Sequence, residues 1–265
     1  MKKTGTILDK IISNKQIELD ELKKSHSLES LKKNLHLRKT KIRNFKHALG
    51  KPGRLNIMAE IKKASPSEGL IRPDFNHIKI AKEYERSGMV DAISVLTESK
   101  FFQGSLGFIE DIKAVTSIPI FRKDFIFDEY QVYEAFLAEA DALLLIVAAL
   151  EKQQLKSLLS VAHALNLECL VETHSDEEIK IALDAGANII GINARNLKTF
   201  VLDKTLFKKY AHLIPSGRVK VAESGLENSN DLKEVYSKGA NAALIGTSIM
   251  SSNNIQQKLK DLTNF

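Results

Sequence analysis

The sequence predicts an α/β protein folded as a (β/α)8 TIM barrel, with a helical extension before the first strand. After Gly53, eight short apolar runs alternate with segments long enough for crossover helices. The runs are almost continuously apolar, which is typical of parallel strands covered on both faces. A helix-to-strand junction also recurs before every second strand, as a repeat of two βα units does when it closes into a barrel. We expect an extension over 1–53 and a barrel over 54–265.

The extension opens with an amphipathic pattern over residues 5–24, in which apolar side chains from Ile7 to Leu22 recur roughly at helical spacing. This pattern predicts a helix, with Thr6 and Asp9 placed as a capping box. A basic and apolar stretch over 27–49 predicts shorter helices, and the glycines and proline of 50–53 end the pattern. We interpret the many lysines of this region as a solvated surface.

The predicted strands follow in order: LNIMAEI (55–61), DAISVL (91–96), IPIF (118–121), DALLLIV (141–147), ECLVE (168–172), NIIGIN (188–193), VKVAES (219–224) and NAALIG (241–246). The recurring junction ends in Asp91, Asp141, Asn188 and Asn241, at spacings of 50, 47 and 53 residues. An open doubly wound sheet is the alternative. It would be expected to carry a glycine-rich phosphate loop after its first strand, and neither GxGxxG nor GxxxxGK[ST] occurs.

Composition and charge exclude several classes of protein. The 265 residues are 43% hydrophobic and 27% charged, ordinary values for a globular protein and unlike those of disordered or collagen-like chains. The formal charge of +6 arises in the first 51 residues, which hold 14 of the 39 Lys and Arg residues but 5 of the 33 Asp and Glu residues. We therefore expect no nucleic-acid partner.

The apolar runs and the single cysteine bear on where the protein acts and on whether it holds a disulfide or a metal. No run approaches the roughly 20 apolar residues of a membrane helix, and Asp9 and Lys10 interrupt the only apolar stretch near the start. We expect a cytoplasmic protein without a membrane partner. The single cysteine, Cys169, cannot form an internal disulfide or a cysteine metal cluster. No HxH or HExxH spacing occurs, so no metal is expected.

Polar residues at the carboxyl ends of the apolar runs predict an active site, because barrel enzymes build it there. The candidate catalytic side chains are Glu60, Lys62, Lys123, Glu172, Asn193, Glu223 and Ser224. Any one alone is more often a salt-bridged rim residue, and Glu60 and Glu223 best suit a structural role of holding lysines. Charges converging from five strands, with Arg195 after the sixth strand included, are costly to bury and hard to explain as packing.

The last two strand ends predict a phosphate site. Ser224-Gly225 and Gly246-Thr247 offer backbone amides that a phosphate could approach closely, and Ser65 in the first loop adds a hydroxyl. A small phosphorylated metabolite is the expected partner. His174, just after the fifth strand, is interpreted as a loop residue rather than a catalytic one.

Several motifs then point to one family: MAEIKKASPSEG (58–69), ISVLTESKFFQGS (93–105), IPIFRKDFI (118–126), CLVETH (169–174), GINARNLKTF (191–200), AESG (222–225) and LIGTSIM (244–250). Together they resemble indole-3-glycerol phosphate synthase, a lyase of tryptophan biosynthesis. The resemblance implies cofactor-independent ring closure of 1-(2-carboxyphenylamino)-1-deoxyribulose 5-phosphate, with release of carbon dioxide and water.

The resemblance also implies residue roles. Lys123 would be the general acid and Lys62 would pair with the substrate carboxylate, although the two jobs could be shared. Glu172 would be the general base. Glu60 and Asn193 would orient their neighbours, and Glu223 and Ser224 would complete the polar wall. The implied ligand-binding residues are Ser65, Gly225, Gly246 and Thr247 for the phosphate, Arg195 near the anionic groups, and Phe102 and Phe125 against the aromatic ring.

The chain departs from the family pattern at three positions. Ala194 and Asn196 flank Arg195 where the family commonly reads INNRDL, and Glu68 replaces a usual lysine. Alternative functions are a phosphoribosylanthranilate isomerase-like barrel and a catalytically silent phosphometabolite-binding barrel. The set of Lys62, Lys123 and Glu172 disfavours the first, and the second would be expected to lack a lysine or glutamate. We expect a monomer or a weak homodimer.

Overall fold

The computed structural model describes residues 5–196, 199 and 201–265, and its centre is a closed barrel of eight parallel strands. The strands are β1 (Asn56–Ile61), β2 (Ala92–Leu96), β3 (Ile120–Lys123), β4 (Ala142–Ile146), β5 (Glu168–Thr173), β6 (Ile189–Asn193), β7 (Val219–Glu223) and β8 (Ala242–Ile245). Each pairs with the next, and β8 closes on β1. The predicted barrel is confirmed. Residues 1–4 of the predicted extension and residues 197, 198 and 200 of one motif lie outside the described residues.

Helices surround the barrel and precede it. The extension contains α1 (Ile7–Ser25), α2 (Leu28–Lys33) and α3 (Phe45–Leu49). The barrel adds α4 (His77–Ser87), α5 (Gly107–Lys113), α6 (Glu129–Leu137), α7 (Lys152–Ala164), α8 (Asp176–Asp184), α9 (Leu206–Tyr210), α10 (Ser229–Ser237), α11 (Thr247–Met250) and α12 (Ile255–Thr263). A two-stranded hairpin, Ala64–Ser65 with Gly69–Leu70, shapes the loop after β1 and was not predicted. None of the described helices is long and apolar enough to cross a membrane.

Strand β3 lies two residues later than predicted. Pro119 has no N–H to contribute to a ladder, and only its carbonyl joins the neighbouring strand by accepting from the Ile93 N–H at 2.9 Å. The strand therefore begins at Ile120 and continues to Lys123. This places Lys123 in regular strand geometry at the mouth of the barrel rather than in the following loop.

The recurring helix-to-strand junction lies at the base of the barrel, the end opposite the mouth, where it reverses the chain and joins adjacent strands. The turn residues Gly88, Glu139, Gly186 and Gly239 all have positive φ, which lets the chain reverse from helix to strand. The polar residue that follows reaches the preceding strand: Asp91 accepts from the Ile57 N–H at 3.0 Å. Asp141 accepts from the Ile120 N–H at 2.8 Å in the same way. The short polar side chains thus join adjacent strands where the barrel begins.

The extension runs from the mouth of the barrel to its base. At the mouth, Thr6 caps α1 by accepting from the Leu8 N–H, and the ammonium of Lys15 lies 3.3 Å from the carboxylate of Asp124. At the base, the Arg43 N–H donates to Asp141, and the ring of Phe45 stacks on that of Phe121 at 5.4 Å.

The interpretation of the lysines as a solvated surface is therefore wrong for Lys15. The side chain of Lys15 is only 10% exposed, and that of Arg38, which donates to the Phe136 carbonyl, is 6% exposed. Lys10 and Lys24 are exposed as expected. Some of the positive charge thus attaches the extension to the barrel.

Candidate active site

A cavity of about 290 Å³ opens at the carboxyl ends of the strands. All fourteen predicted site residues line it: Glu60, Lys62, Ser65, Phe102, Lys123, Phe125, Glu172, Asn193, Arg195, Glu223, Ser224, Gly225, Gly246 and Thr247. The side of the cavity nearest the extension is apolar and includes Ile7, Leu8 and Ile11 of α1. The first helix therefore forms part of the wall.

Lys123 is the centre of the charged part of the cavity. Its Nζ lies 3.7 Å from Oε2 of Glu172 and 3.7 Å from Oε2 of Glu223. Burial favours the neutral amine, but the surrounding carboxylates, including that of Glu60, outweigh it and raise the pKa of Lys123 above its ordinary value. The side chain therefore keeps its proton at neutral pH.

These four charged residues come from β1, β3, β5 and β7. Alternate strands of a (β/α)8 barrel contribute the four side chains of one interior layer. Glu60, Lys123, Glu172 and Glu223 thus replace the usual apolar side chains of such a layer with one cation and three carboxyl groups. The three carboxyl groups are each about 2% exposed, so charges within the layer interact with little screening from water.

The carboxyl groups of the layer are not equally well paired with cations. Lys62, two residues beyond Glu60, donates from Nζ to Oε1 of Glu60 at 2.8 Å, as the period-two spacing predicts. Although burial opposes it, the charges of Lys62 and Lys123 lower the pKa of Glu60. Neither oxygen of Glu223 has a hydrogen-bond partner among the described residues. Burial and the neighbouring Glu172 raise the pKa of Glu223 to about 8.

Two glycines make room for the layer. A Cβ on Gly191, in β6, would lie 1.9 Å from Oε1 of Glu223, and one on Gly246 would lie 2.3 Å from Oε1 of Glu60. Any larger residue would displace these carboxyl groups. Gly246 was predicted only as a phosphate-binding residue, and Gly191 was missed. A glycine inside a strand often marks such a close approach, so the GIN sequence of β6 carried the signal.

The candidate phosphate end lies beside β7 and β8. Ser224 and Gly225 are successive residues with φ of +68° and +72°, so the chain turns sharply as β7 ends. Gly246 precedes α11 and Thr247 is its first residue. Across the cavity, the Ser65 hydroxyl accepts from the Glu68 N–H at 3.2 Å. The geometry brings the predicted phosphate residues to one cavity without itself showing what they bind.

Asn193 and Arg195 form the side of the site after β6. Oδ1 of Asn193 accepts from the Arg195 N–H at 2.9 Å, which fixes the start of this loop. The guanidinium of Arg195 lies 3.8 Å from the carboxylate of Glu68 in the first loop. Glu68, one of the positions where this chain departs from the family pattern, therefore meets across the mouth the arginine that the other two departures flank.

The aromatic part of the cavity depends on a residue that was missed. Phe102 and Phe125 lie 6.2 Å apart between ring centroids. The loop that carries Phe102 is organised by Glu98, whose fully buried carboxylate accepts from the Lys100, Phe101 and Phe102 N–H groups at 2.7–3.1 Å. The sequence pattern showed a glutamate after β2 but not that it points back into its own loop.

Asp124, next to Lys123, links the site to α1 and was also missed. Its carboxylate accepts from the Thr97 hydroxyl at 2.6 Å and pairs with Arg122 at 3.1 Å and with Lys15. Burial opposes ionisation, but these partners lower the pKa of Asp124. The pairing partner from α1 is 109 residues away in sequence, so local patterns could not reveal it.

His174 does not line the cavity, in agreement with its interpretation as a loop residue. It lies behind Glu172, with Nε2 at 3.4 Å from Oε1 of that carboxylate. The described residues include no cluster of three or more His, Cys, Asp or Glu side chains arranged to hold a metal ion.

Comparison with known proteins gives one consistent family. The family model described as indole-3-glycerol phosphate synthase matches residues 8–262. The enzyme of that name from Endomicrobium trichonymphae is 45% identical over 257 residues, covering 97% of this chain and 99% of the relative. That from Campylobacter fetus subsp. fetus (strain 82-40) is 47% identical over 256 residues, covering 97% and 98%.

Solved structures with lower identity share the fold. A 3-hexulose-6-phosphate synthase superposes with a TM-score of 0.64 at 18% identity, covering 79% of this chain and 99% of that chain. A thiamine phosphate pyrophosphorylase from Pyrococcus furiosus gives a TM-score of 0.61 at 16% identity, covering 83% and 96%. At these identities the likeness concerns the barrel alone.

Proposed function

The chain belongs to the indole-3-glycerol phosphate synthase family, and on that premise we propose how its residues catalyse the family's reaction. The reaction is that of a carboxy-lyase of tryptophan biosynthesis and acts on a phosphorylated small molecule. It closes the ring of 1-(2-carboxyphenylamino)-1-deoxyribulose 5-phosphate with loss of carbon dioxide and water. The observation that carries the assignment is the ammonium of Lys123 held at 3.7 Å from both Glu172 and Glu223.

Condensation is the first step. The aromatic carbon that bears the carboxylate attacks the ketone carbon, and the ketone oxygen takes a proton from Lys123. A general acid must be protonated before the step, which for a lysine means charged, and it must meet an oxygen that becomes more basic during the step. The carboxylates around Lys123 keep it charged, and the developing alkoxide supplies the driving force for proton transfer.

Decarboxylation follows. The carbon dioxide leaves, and the electrons of its carbon–carbon bond restore the aromatic ring. Lys62 is the proposed partner of the substrate carboxylate, since its ammonium lines the cavity and its side chain is 13% exposed. Glu60 orients this lysine through the 2.8 Å contact. Phe102, Phe125 and the apolar residues of α1 support the proposed aromatic subsite.

Dehydration completes the reaction. The hydroxyl leaves as water with a second proton from Lys123, while Glu172 removes a proton from the neighbouring methylene carbon. The electrons of that carbon–hydrogen bond form the new double bond. Two protons are given and one is taken, so each turnover draws one proton from solvent, matching the conversion of a carboxylate into neutral carbon dioxide. The scheme uses no cofactor.

The remaining site residues bind the other end of the substrate. We assign Ser65, Gly225, Gly246 and Thr247 to the phosphate, with Arg195 nearby. Asn193 faces the substrate hydroxyls, and Glu223 with Ser224 completes the polar wall. The successive left-handed residues after β7 support this assignment because they turn the chain at the cavity edge.

Three further features are proposed for the protein as a whole. We place it in the cytoplasm, as a monomer or a weak homodimer. We divide it into a helical extension over 1–53 and a catalytic barrel over 54–265. The contacts of the extension at both ends of the barrel support its role as a packing element.

The activity is tested by adding the carboxyphenylamino-deoxyribulose phosphate and following indole fluorescence. We expect Lys123→Ala to stay folded and to turn over substrate about 10²–10⁴-fold more slowly than the parent. The exposed substitution Lys156→Ala on α7 should leave the parent's rate unchanged. A folded wild-type protein that forms no product at micromolar concentration would refute the proposed function.

The base is tested by following carbon dioxide and indole product separately. Glu172→Gln should release one equivalent of carbon dioxide faster than it forms indole product, because condensation and decarboxylation precede its step. Glu177→Gln, an exposed substitution on α8, is the control. Equal, unimpaired rates of both products in Glu172→Gln would exclude Glu172 as the base.

A further inference from the structure

Two carboxyl groups stand symmetrically about Lys123, yet only one can be the base. Glu172 and Glu223 each have Oε2 at 3.7 Å from the ammonium, and both are about 2% exposed. Two buried carboxyl groups beside one cation compete for a proton, because the second negative charge is only partly compensated. Because Lys123 lies at the same distance from both, its distance alone does not decide which of them is ionised.

His174 makes the surroundings of the two carboxyl groups different, because it contacts Glu172. Its Nε2 lies 3.4 Å from Oε1 of Glu172, on the side of the carboxylate away from the cavity. Its Nδ1 lies 3.2 Å from Oε2 of Glu178 in α8, and the same oxygen accepts from the His174 backbone N–H at 2.7 Å. The ring therefore lies between two carboxylates with only 14% of the side chain exposed. It is hydrogen-bonded to Glu178, whereas Nε2 faces Glu172 at ion-pair distance without a hydrogen-bond partner among the described residues.

Glu223 has no comparable support. Both of its oxygens are buried and lack a hydrogen-bond partner in the described part of the chain. The other charged groups that face the pair are Lys123 from β3, Glu60 from β1 with its partner Lys62, and Glu178 from α8. Of the described cations that face the pair, Lys123 lies at the same distance from both members, whereas His174 contacts Glu172.

We propose that His174 is a positioning residue that, as an imidazolium, keeps the negative charge on Glu172 and leaves the proton on Glu223. Glu172 is then ready to remove the methylene proton, while Glu223 acts as a neutral wall of the site. The inference rests on the proposed function and deepens it. His174 itself gives and takes no proton in the reaction.

The charge state of the ring supports this arrangement. Burial alone would lower the pKa of His174, but the hydrogen bond to Glu178 and the charge of Glu172 raise it above its ordinary value. The imidazolium therefore persists nearer to neutral pH than that of a free histidine, and it is lost as the pH rises further. Glu223 keeps its proton because burial and the neighbouring Glu172 raise its pKa to about 8, outweighing the charge of Lys123.

The test is the pH dependence of kcat between pH 5 and 9. An adjacent cation shifts the ionisation of a carboxyl group by about one pH unit or more, so His174→Asn should move the acidic limb upward by about one unit. On the acidic limb of the profile its kcat should fall by up to about tenfold below the wild type, the most that a one-unit shift allows, and above that limb it should lie within about twofold. KM should change little, because His174 lies outside the cavity.

Glu178→Gln is the second variant. It keeps an oxygen that can accept from the His174 backbone N–H but removes the charge that stabilises the imidazolium. We expect the same limb to move in the same direction by a smaller amount. His163→Asn, an exposed substitution on α7, is the matched control and should reproduce the wild-type profile.

The outcomes separate the inference from the proposed function. A uniform loss of kcat at every pH in His174→Asn, or profiles of both variants that coincide with the wild type, would overturn the role of His174 while leaving the lyase activity intact. Should His174→Asn fail to fold, the shift in Glu178→Gln decides. A wild-type protein without activity would instead refute the proposed function itself.

Discussion

Replacing Gly191 with alanine tests how tightly the position of Glu223 is set. The added Cβ would lie 1.9 Å from Oε1 of Glu223 and 2.9 Å from Cδ2 of Leu170. Carbon and oxygen atoms that are not bonded do not approach within about 3 Å, so the carboxyl oxygen must retreat by about 1.1 Å or more. The retreat takes place inside a packed barrel, where the neighbours have little room to yield.

The expected cost follows from that displacement. A shift of about 1 Å in a group that positions a reaction can lower the rate about 100-fold, so we expect kcat of Gly191→Ala to fall by that order. Overpacking of this kind typically destabilises by about 1–3 kcal/mol, which lowers Tm by roughly 2–4 °C for each kcal/mol. The assays are indole fluorescence for kcat and a thermal scan for Tm.

Two variants sharpen this test. Gly107→Ala is the matched control, because the nearest atom to its added Cβ is the Ser105 hydroxyl oxygen at 3.7 Å; its kcat and Tm should stay near those of the parent. Glu223→Asp shortens the side chain by one methylene and vacates the contested space, so adding Gly191→Ala to it should cost little more. A folded Gly191→Ala variant with kcat within twofold of wild type would refute the reasoning.

Three further substitutions test other contacts. Between pH 4.5 and 8 the folded protein retains a proton on Glu223 that the unfolded chain loses, so unfolding free energy falls as pH rises across this window, by up to about 1.4 kcal/mol per pH unit. Glu223→Gln should therefore gain Tm over wild type increasingly toward pH 8, and a Tm difference independent of pH would contradict this sign. Glu98→Gln leaves backbone N–H groups around Phe102 unsatisfied and should raise KM at least about fivefold with a smaller change in kcat. A fall in kcat as large as the rise in KM would argue against a role in positioning the loop. Lys15→Met should lower stability by about 1–3 kcal/mol through loss of the Asp124 contact, measured by thermal unfolding, and a Tm equal to that of the parent would show that the contact is dispensable.

The sequence predicted the barrel and its mouth because both depend on local patterns. Apolar runs marked the strands, and polar residues at their ends marked the side chains of the charged layer, Lys123 among them. The spacing of Glu60 and Lys62 sufficed to place them on one side of a strand, which the 2.8 Å contact confirms. The functional roles assigned to these residues stay predictions.

The features that escaped prediction depend on contacts between distant parts of the chain. Glu98 folds back on its own loop, and Lys15 meets Asp124 only after the barrel has formed. The requirement for glycine at position 191 arises from Glu223 on the adjacent strand, 32 positions later in the sequence. The hydrophobic periodicity of the sequence does not reveal such contacts, because each forms only when distant segments of the chain lie side by side.

The path of the extension has a consequence for synthesis of the protein on the ribosome. Its helices leave the ribosome before the barrel strands do, but the residues they contact follow about 100 residues later. Lys15 pairs with Asp124, and Arg43 donates to Asp141. At about 5–20 residues per second, the extension remains undocked for roughly 5–20 s while the strands it will cover are made. Its high density of like charges suits this interval, because a chain that repels its own copies is slow to aggregate before its docking surface exists.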